Sequence, residues 1–108
     1  MNIEEIREYC LGKSQVNESF PFGDTTLVFK VSGKIFALLS LDAVQMNLKC
    51  EPDLAIELRE QYSSVIPGYH MNKKYWNTIL LNGTIPDKLI KDWIDLSYSL
   101  VAKKGKKK

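Results

Sequence analysis

Alternation of apolar and polar residues in the middle of the chain predicts a run of strands. Residues 25–31 and 45–50 alternate clearly, and residues 34–41 are apolar on both faces, as in a central strand. Successive side chains of a strand point to opposite faces, so these patterns fit a layer with one buried side. Ser32-Gly33 between the first two runs is a hairpin signal. We therefore predict three consecutive antiparallel strands.

Segments with apolar residues at helical spacing lie before and after these strands. Asn2 and Glu5 form a capping-box pattern ahead of a helix over about residues 3–11. A second helix is predicted over about residues 52–61, because proline is well tolerated in the first turn of a helix.

The last part of the chain predicts one more strand and a long helix. Residues 76–81 are rich in strand-forming side chains and are followed by Asn82-Gly83, a turn signal. Thr84 with Asp87 is a second capping-box arrangement, and it predicts a helix that runs to about Val101. Helices gathered on one face of an antiparallel sheet make a two-layer α+β domain.

Length and composition indicate one globular unit. The chain has 108 residues, of which 44% are hydrophobic and 26% charged, as is usual for a single domain. We predict one domain over residues 1–102 and a lysine-rich tail over residues 103–108. The tail carries five positive charges, so the formal net charge of +2 becomes −3 for residues 1–102. A lysine cluster attracts polyanions, but a solvated end that aids solubility is the simpler interpretation.

No targeting or membrane signal is evident. The chain opens with Glu4 and Glu5 where a secretory signal has basic residues followed by an apolar run. No segment approaches the about 20 apolar residues that cross a bilayer. Cys10 and Cys50 form no CxxC pair and are interpreted as reduced thiols. We expect a cytoplasmic protein without membrane contact, a monomer by default.

Acidic and basic residues are predicted to lie in different layers of the domain. The three helical segments are net acidic, whereas the predicted hairpin and third strand carry Lys30, Lys34 and Lys49 against Asp42. An acidic helical side would therefore oppose a mildly basic sheet side, which is a weak footprint of polyanion binding. Lysines on exposed strands also protect sheet edges and aid solubility, and that interpretation stays open.

Residues 67–78, with the sequence PGYHMNKKYWNT, are the least generic stretch. Three aromatic residues, two lysines, two asparagines and the single histidine of the chain follow a Pro-Gly turn within ten residues. Aromatic rings stack on bases, ammonium groups neutralise phosphates, and amides pair with base edges. The combination suits a nucleic-acid contact surface, although Trp76 at a strand start and Tyr69 beside Pro67 are residues that more often serve as core anchors.

This stretch also resembles the MmcQ/YjbR-like family of small bacterial proteins, and the resemblance covers nearly the whole chain. The other matching pieces are Phe20-Pro21-Phe22-Gly23, residues 29–38, residues 47–52 and residues 97–101. The resemblance implies a frataxin-like (CyaY-like) fold, with helices on one face of a twisted antiparallel sheet. It also implies a DNA-binding role of the proposed double-wing type.

The resemblance extends to individual candidate residues for nucleic-acid binding. They are Lys49, His70, Asn72, Lys73, Lys74, Trp76 and Asn77. Tyr75 stands where the family often has a second histidine, so a two-histidine site is not expected. The three lysines would contact phosphates, and Trp76 or Tyr75 would stack on bases or support the surface.

Catalytic and metal chemistry have weaker support. Cys50 and His70 lack a spacing that indicates a nucleophile and its base, and an inward-facing thiol behaves as a small apolar group. The chain shows no zinc or non-haem iron pattern, and no cofactor is predicted. The resemblance to frataxin-like proteins suggests iron binding by acidic residues on the first helix, but the three acidic residues there are more simply an exposed helix face.

The hypothesis from sequence is therefore a binding protein and not an enzyme. We expect it to bind DNA through a basic, aromatic surface on the sheet side. The alternative is a protein-interaction module, because aromatic residues are also common in protein interfaces.

Overall fold

The structure, a computed structural model, describes residues 1–68 and 71–102. Its helices and strands, in chain order, are α1 (Ile3–Leu11), β1 (Asn17–Ser19), β2 (Thr26–Val31), β3 (Lys34–Ser40), β4 (Gln45–Lys49), α2 (Pro52–Gln61), β5 (Val65–Pro67), β6 (Trp76–Leu80) and α3 (Asp87–Ala102). The strands and helices predicted from the sequence are all present, within a few residues of their expected bounds.

The strands form one six-stranded sheet in the order β1-β2-β3-β4-β6-β5, with every neighbouring pair antiparallel. The hairpin between β2 and β3 turns at Ser32 and Gly33, whose φ angles are 56° and 76°. Positive φ at both central residues suits the twist of the flanking strands. The predicted hairpin is confirmed.

All three helices contribute to one core on the same side of the sheet. Ile6 of α1, Leu58 of α2 and Ile94 of α3 belong to one buried cluster with Phe29 of β2 and Met46 of β4. The predicted two-layer α+β architecture is therefore confirmed. Cys10 and Cys50 lie in this same cluster as free thiols.

The start of α1 follows from its capping box. The side-chain oxygen of Asn2 accepts from the Glu5 backbone N–H at 2.8 Å, and the Glu5 carboxylate accepts from the Asn2 N–H at 2.9 Å. These bonds satisfy backbone donors that have no partner within the helix. The predicted cap is confirmed.

A polar clamp joins the end of α1 to α3. Lys13 Nζ donates to Asp95 Oδ1 at 2.5 Å, and Tyr9 donates its hydroxyl hydrogen to the same oxygen at 2.7 Å. The Tyr98 hydroxyl donates to the Ser14 carbonyl at 2.6 Å. The bond to Asp95, together with burial and the charge of that carboxylate, raises the pKa of Tyr9 to about 12. The clamp fixes the two helices against each other.

Two short strands and one helix cap differ from the sequence predictions. β1 and β5 have three residues each, too few for an alternating pattern to show. The predicted cap at Thr84 is wrong, because α3 begins at Asp87 and the carbonyl of Pro86 accepts from its first turn. Thr84 instead donates its hydroxyl hydrogen to Asn82 at 2.7 Å, since a threonine hydroxyl bonds readily to nearby groups in a turn.

The lysine tail over residues 103–108 lies outside the described residues. Among the helices of residues 1–68 and 71–102, none has the length and apolar character needed to span a membrane.

Candidate functional site

One face of the sheet is not covered by helices, and we call it the open face. Its side chains alternate with those of the core, so that Val28 and Leu38 point away from the helices while Leu27 and Leu39 point toward them. Residues that pair on neighbouring strands share a face, so the pairing defines the open face across the sheet. Its members are Thr26, Val28, Lys30, Ile35, Leu38, Ser40, Gln45, Asn47, Lys49, Ile66, Trp76, Thr78 and Leu80.

Lys34 does not belong to the open face. It pairs with Val31, whose side chain lies in the core cluster on the helix side. An irregularity in the pairing between Phe29 and Lys30 shifts the register at this end of the hairpin. The expected basic sheet side therefore retains Lys30 and Lys49 but loses Lys34.

Trp76 anchors the middle of the open face. Only 8% of its surface is exposed, and it forms a second small apolar cluster with Val28 and Leu38, against which Ile35 and Met71 pack. A ring so fully covered has no face available for a base. The expectation that Trp76 stacks on a nucleic acid is wrong for this conformation, whereas the expectation that it supports the surface agrees with its packing.

Among the described residues of the candidate segment, the exposed ones form the turn of residues 72–75, which we call the basic turn. The Asn72 side-chain oxygen accepts from the Lys74 backbone N–H at 3.0 Å, and the Asn72 carbonyl accepts from the Tyr75 N–H at 3.0 Å. Lys73 and Lys74 are exposed, and Tyr75 is 38% exposed. Lys74 Nζ lies 5.7 Å from the centre of the Tyr75 ring. Asn72 thus shapes the turn that presents the other three side chains.

Lys49 lies beside the basic turn. It pairs with Trp76, the residue that follows the turn, and the Cys50 backbone N–H donates to the Tyr75 carbonyl at 2.7 Å. The Lys49 N–H donates to the Ser97 hydroxyl at 2.9 Å, so helix α3 fixes this end of β4. The structure therefore brings Lys49, Lys73 and Lys74 to one corner of the open face.

Asn77 is not part of this surface. Its side chain points toward the helices, is 2% exposed, and donates from Nδ2 to the Ala55 carbonyl at 3.2 Å. Asn77 follows Trp76 on one strand, and adjacent strand residues face opposite sides. The prediction of a nucleic-acid contact by Asn77 is therefore wrong. His70 and Tyr69 lie outside the described residues.

A groove that the sequence did not reveal crosses the other part of the open face, and we call it the polar groove. Its volume is about 530 Å³, within the roughly 300–1,000 Å³ typical of ligand sites. Its lining comprises Phe22, Thr25, Thr26, Leu38, Ser40, Asp42, Ala43, Gln45, Asn47 and Met71. The one sequence signal for it was the Phe20-Pro21-Phe22-Gly23 match, to which no role was assigned.

The floor of the polar groove is held by side-chain hydrogen bonds. The Asn47 side-chain oxygen accepts from the Thr78 hydroxyl, which fixes the orientation of that amide. The Ser40 hydroxyl donates to Asp42 Oδ1 at 3.2 Å. At one wall, Phe22 is 65% exposed. The groove therefore offers amide, hydroxyl and carboxylate groups next to an exposed ring.

Catalytic and metal-binding groups are sparse in the part of the chain that the structure describes. No cluster of three or more His, Cys, Asp or Glu side chains within residues 1–68 and 71–102 is placed to hold a metal ion. Burial raises the pKa of the Cys50 thiol, and burial raises that of Cys10 to about 12. Thiols of this kind are poor nucleophiles at neutral pH.

Comparison with known proteins agrees with this fold. The YjbR family model matches residues 11–100. The chain is 35% identical to the protein YjbR of Escherichia coli (strain K12) and 41% identical to YbdF of E. coli O157:H7, each over 91% of this chain and over 85% and 82% of the relative. The crystal structure of protein DR2400 from Deinococcus radiodurans superposes with a TM-score of 0.92 at 39% identity, covering 99% of this chain and 83% of that one. The names of these relatives state no activity. The chain belongs to the YjbR family.

Proposed function

We propose that this protein binds nucleic acid through the basic turn and the open face beside it. The observation that carries the proposal is the corner where Lys73, Lys74 and Tyr75 are exposed on a hydrogen-bonded turn next to Lys49. Three cations and an aromatic ring along one edge of the sheet can contact phosphates and a base together. The proposal does not extend to Trp76 or Asn77 as contacts.

The distribution of charge supports an oriented encounter with a polyanion. Exposed acidic residues lie along α1 and α2, including Glu4, Glu8, Asp53 and Glu57. The basic turn lies at the edge of the open face, and the bond from the Cys50 N–H to the Tyr75 carbonyl places it next to the start of α2. Because like charges repel a phosphate backbone and opposite charges attract it, the protein would approach nucleic acid with its sheet side.

The test is a titration of short DNA at about 50 and 200 mM salt, a range over which phosphate contacts weaken binding steeply. Lys73→Ala with Lys74→Ala removes two candidate phosphate contacts. The logarithmic salt slope should then become shallower by about 1.4–1.8 units, since each contact contributes roughly 0.7–0.9. Lys88→Ala with Lys91→Ala on α3 is the matched control, because it removes the same charge from exposed positions on the helix side.

The comparison is made in the chain with and without residues 103–108. We expect the double change in the basic turn to weaken binding in both forms, and the control pair to leave the salt slope unchanged. Equal slopes for the two double variants would remove the basic turn from the proposal. Binding that disappears with residues 103–108 alone would assign the affinity to the lysine tail and overturn the role of the folded domain.

A protein-interaction role is the second candidate, and one observation favours it. Phe20 and Phe22 are 48% and 65% exposed on one short loop, and exposed rings of this kind often mark protein contacts. Apolar association responds weakly to salt. A partner whose affinity is the same at both salt concentrations and falls on Phe22→Ala would support this candidate over nucleic-acid binding.

A further inference from the structure

We propose that the polar groove receives one unpaired nucleobase, so that the protein binds single-stranded nucleic acid in preference to duplex. This inference rests on the proposed function, because the basic turn would hold the phosphates that flank the base. It adds the chemical class of the ligand and assigns a site to residues outside the basic turn.

The ring in the groove is Phe22. Its 65% exposure leaves most of an apolar surface in water, and a flat heteroaromatic base would cover it by stacking. Met71 also lines the groove, and its neighbour in the apolar cluster, Leu38, forms part of the floor. A thioether is polarisable and adapts well to an aromatic surface. The groove therefore offers apolar contacts for the faces of a base.

The edge of a base requires both donors and acceptors. Gln45 and Asn47 place two amides on the groove floor, and the bond from Thr78 orients the second one. Amide side chains match base edges because each carries a donor and an acceptor. In a duplex the Watson–Crick edge of a base is already paired and its faces are stacked, so only an unpaired base can present its edge and a face to the groove together.

The charges of the groove and of the basic turn favour different parts of a nucleotide. Among the described residues that line the groove, Asp42 is the one that carries a charge. A carboxylate repels phosphate but accepts hydrogen bonds from the amino groups of bases. The lysines lie on the basic turn instead. This arrangement suits a neutral base in the groove and an anionic backbone outside it.

The two sites are adjacent along the chain. Met71 lines the groove, and Lys73 of the basic turn is two residues further on. Two peptide units separate Cα atoms by at most about 8 Å. A base in the groove would therefore have its own backbone within reach of the lysine side chains.

The experiment compares three probes of about 12 nucleotides, a length within the site sizes of single-strand-binding domains. They are a single strand of mixed sequence, its duplex, and a strand of the same length without bases. Phe22→Ala is the test variant. Phe20→Ala is its matched control, because Phe20 is exposed on the same loop but lines a different groove, beside Arg7 and Glu18.

The single strand should bind at least about tenfold more tightly than the duplex and the baseless strand. Phe22→Ala should weaken single-strand binding by about 5- to 100-fold, the range expected when one stacked base loses its partner. The same change should leave binding of the baseless strand unaltered, and Phe20→Ala should behave as the parent protein.

The two proposals fail in different ways. Equal affinity for base-bearing and baseless strands, or equal effects of the two phenylalanine changes, would overturn the base site and leave phosphate binding by the basic turn in place. Insensitivity of every probe to Lys73→Ala with Lys74→Ala would overturn the basic turn itself. A protein that binds none of the three probes would overturn both.

Discussion

Gly68 lies with its backbone directly against that of Trp76. The Gly68 N–H donates to the Trp76 carbonyl at 3.0 Å, and a Cβ added at Gly68 would stand 3.0 Å from Trp76 Cβ. This contact is tighter than most contacts of real Cβ atoms, so a side chain at position 68 would displace Trp76 by a few tenths of an ångström. The hairpin that carries the basic turn therefore favours glycine at its base.

Gly68→Ala should lower the free energy of unfolding by about 1–3 kcal/mol, as is usual for an added methyl group without space. Gly12→Ala is the control, since its Cβ would lie 3.4 Å from the Glu8 carbonyl oxygen, an ordinary contact. Denaturant midpoints measure both changes. A Gly68→Ala protein as stable as Gly12→Ala would contradict the close approach.

Trp76 and Tyr75 should differ sharply although they are adjacent. Trp76→Ala removes a ring that is 8% exposed and should reduce stability by about 3–5 kcal/mol. Tyr75→Ala changes a side chain that is 38% exposed, and surface changes of this kind usually stay within about 0.5 kcal/mol. Urea unfolding of the two variants distinguishes the roles. Similar losses of stability for both would refute the assignment of Trp76 as the anchor.

Val44 adopts a left-handed backbone conformation that is unfavourable for a residue with a branched side chain. Its φ is 51° while 43% of its surface is exposed, and the left-handed region disfavours residues with a Cβ by roughly 1–2 kcal/mol. Val44→Asn should therefore stabilise the protein by about 1 kcal/mol, or about 4–8 °C in Tm, because asparagine tolerates this region. Ala43→Asn in the same turn should give no such increase in a thermal melt. A lower Tm for Val44→Asn would disprove this account of the turn.

Stability should decline in alkali. Burial raises the pKa of Cys10 from 9.0 to about 12, and the bond to Asp95 raises that of Tyr9 from 10.0 to about 12. Both groups bind their protons more tightly in the folded state, so their contribution is complete below the unfolded pKa and is lost as pH rises through the folded value. Urea midpoints should fall between pH 9 and 12, and less steeply in Cys10→Ala. An identical slope in that variant would exclude the buried thiol as a cause.

The periodic parts of this fold could be predicted from the sequence, because local side-chain patterns determine them. The alternation in β4 correctly placed Met46 and Leu48 toward the helices. Thr84 was misassigned as a helix cap, because its hydroxyl contacts Ser64 at 2.6 Å across a distant turn. Only tertiary structure reveals that contact.

Less of the candidate site could be predicted from the sequence. The basic turn was identified because its lysines are consecutive and follow a turn signal. Asn77 was included by proximity, although strand alternation after Trp76 would have excluded it. The polar groove was missed because Phe22, Asp42 and Met71 are far apart in sequence and meet only in the folded sheet.

The two three-residue strands at the sheet edges also bear on how the protein behaves at high concentration. β5 ends in Pro67, which lacks an N–H, and β1 is tied to α1 by two bonds from the Arg7 guanidinium to Glu18 at 2.8 and 2.5 Å. Short edges and proline hinder the addition of further strands. We therefore expect concentrated solutions to resist fibril growth, even though so much of the sheet lacks a helical cover.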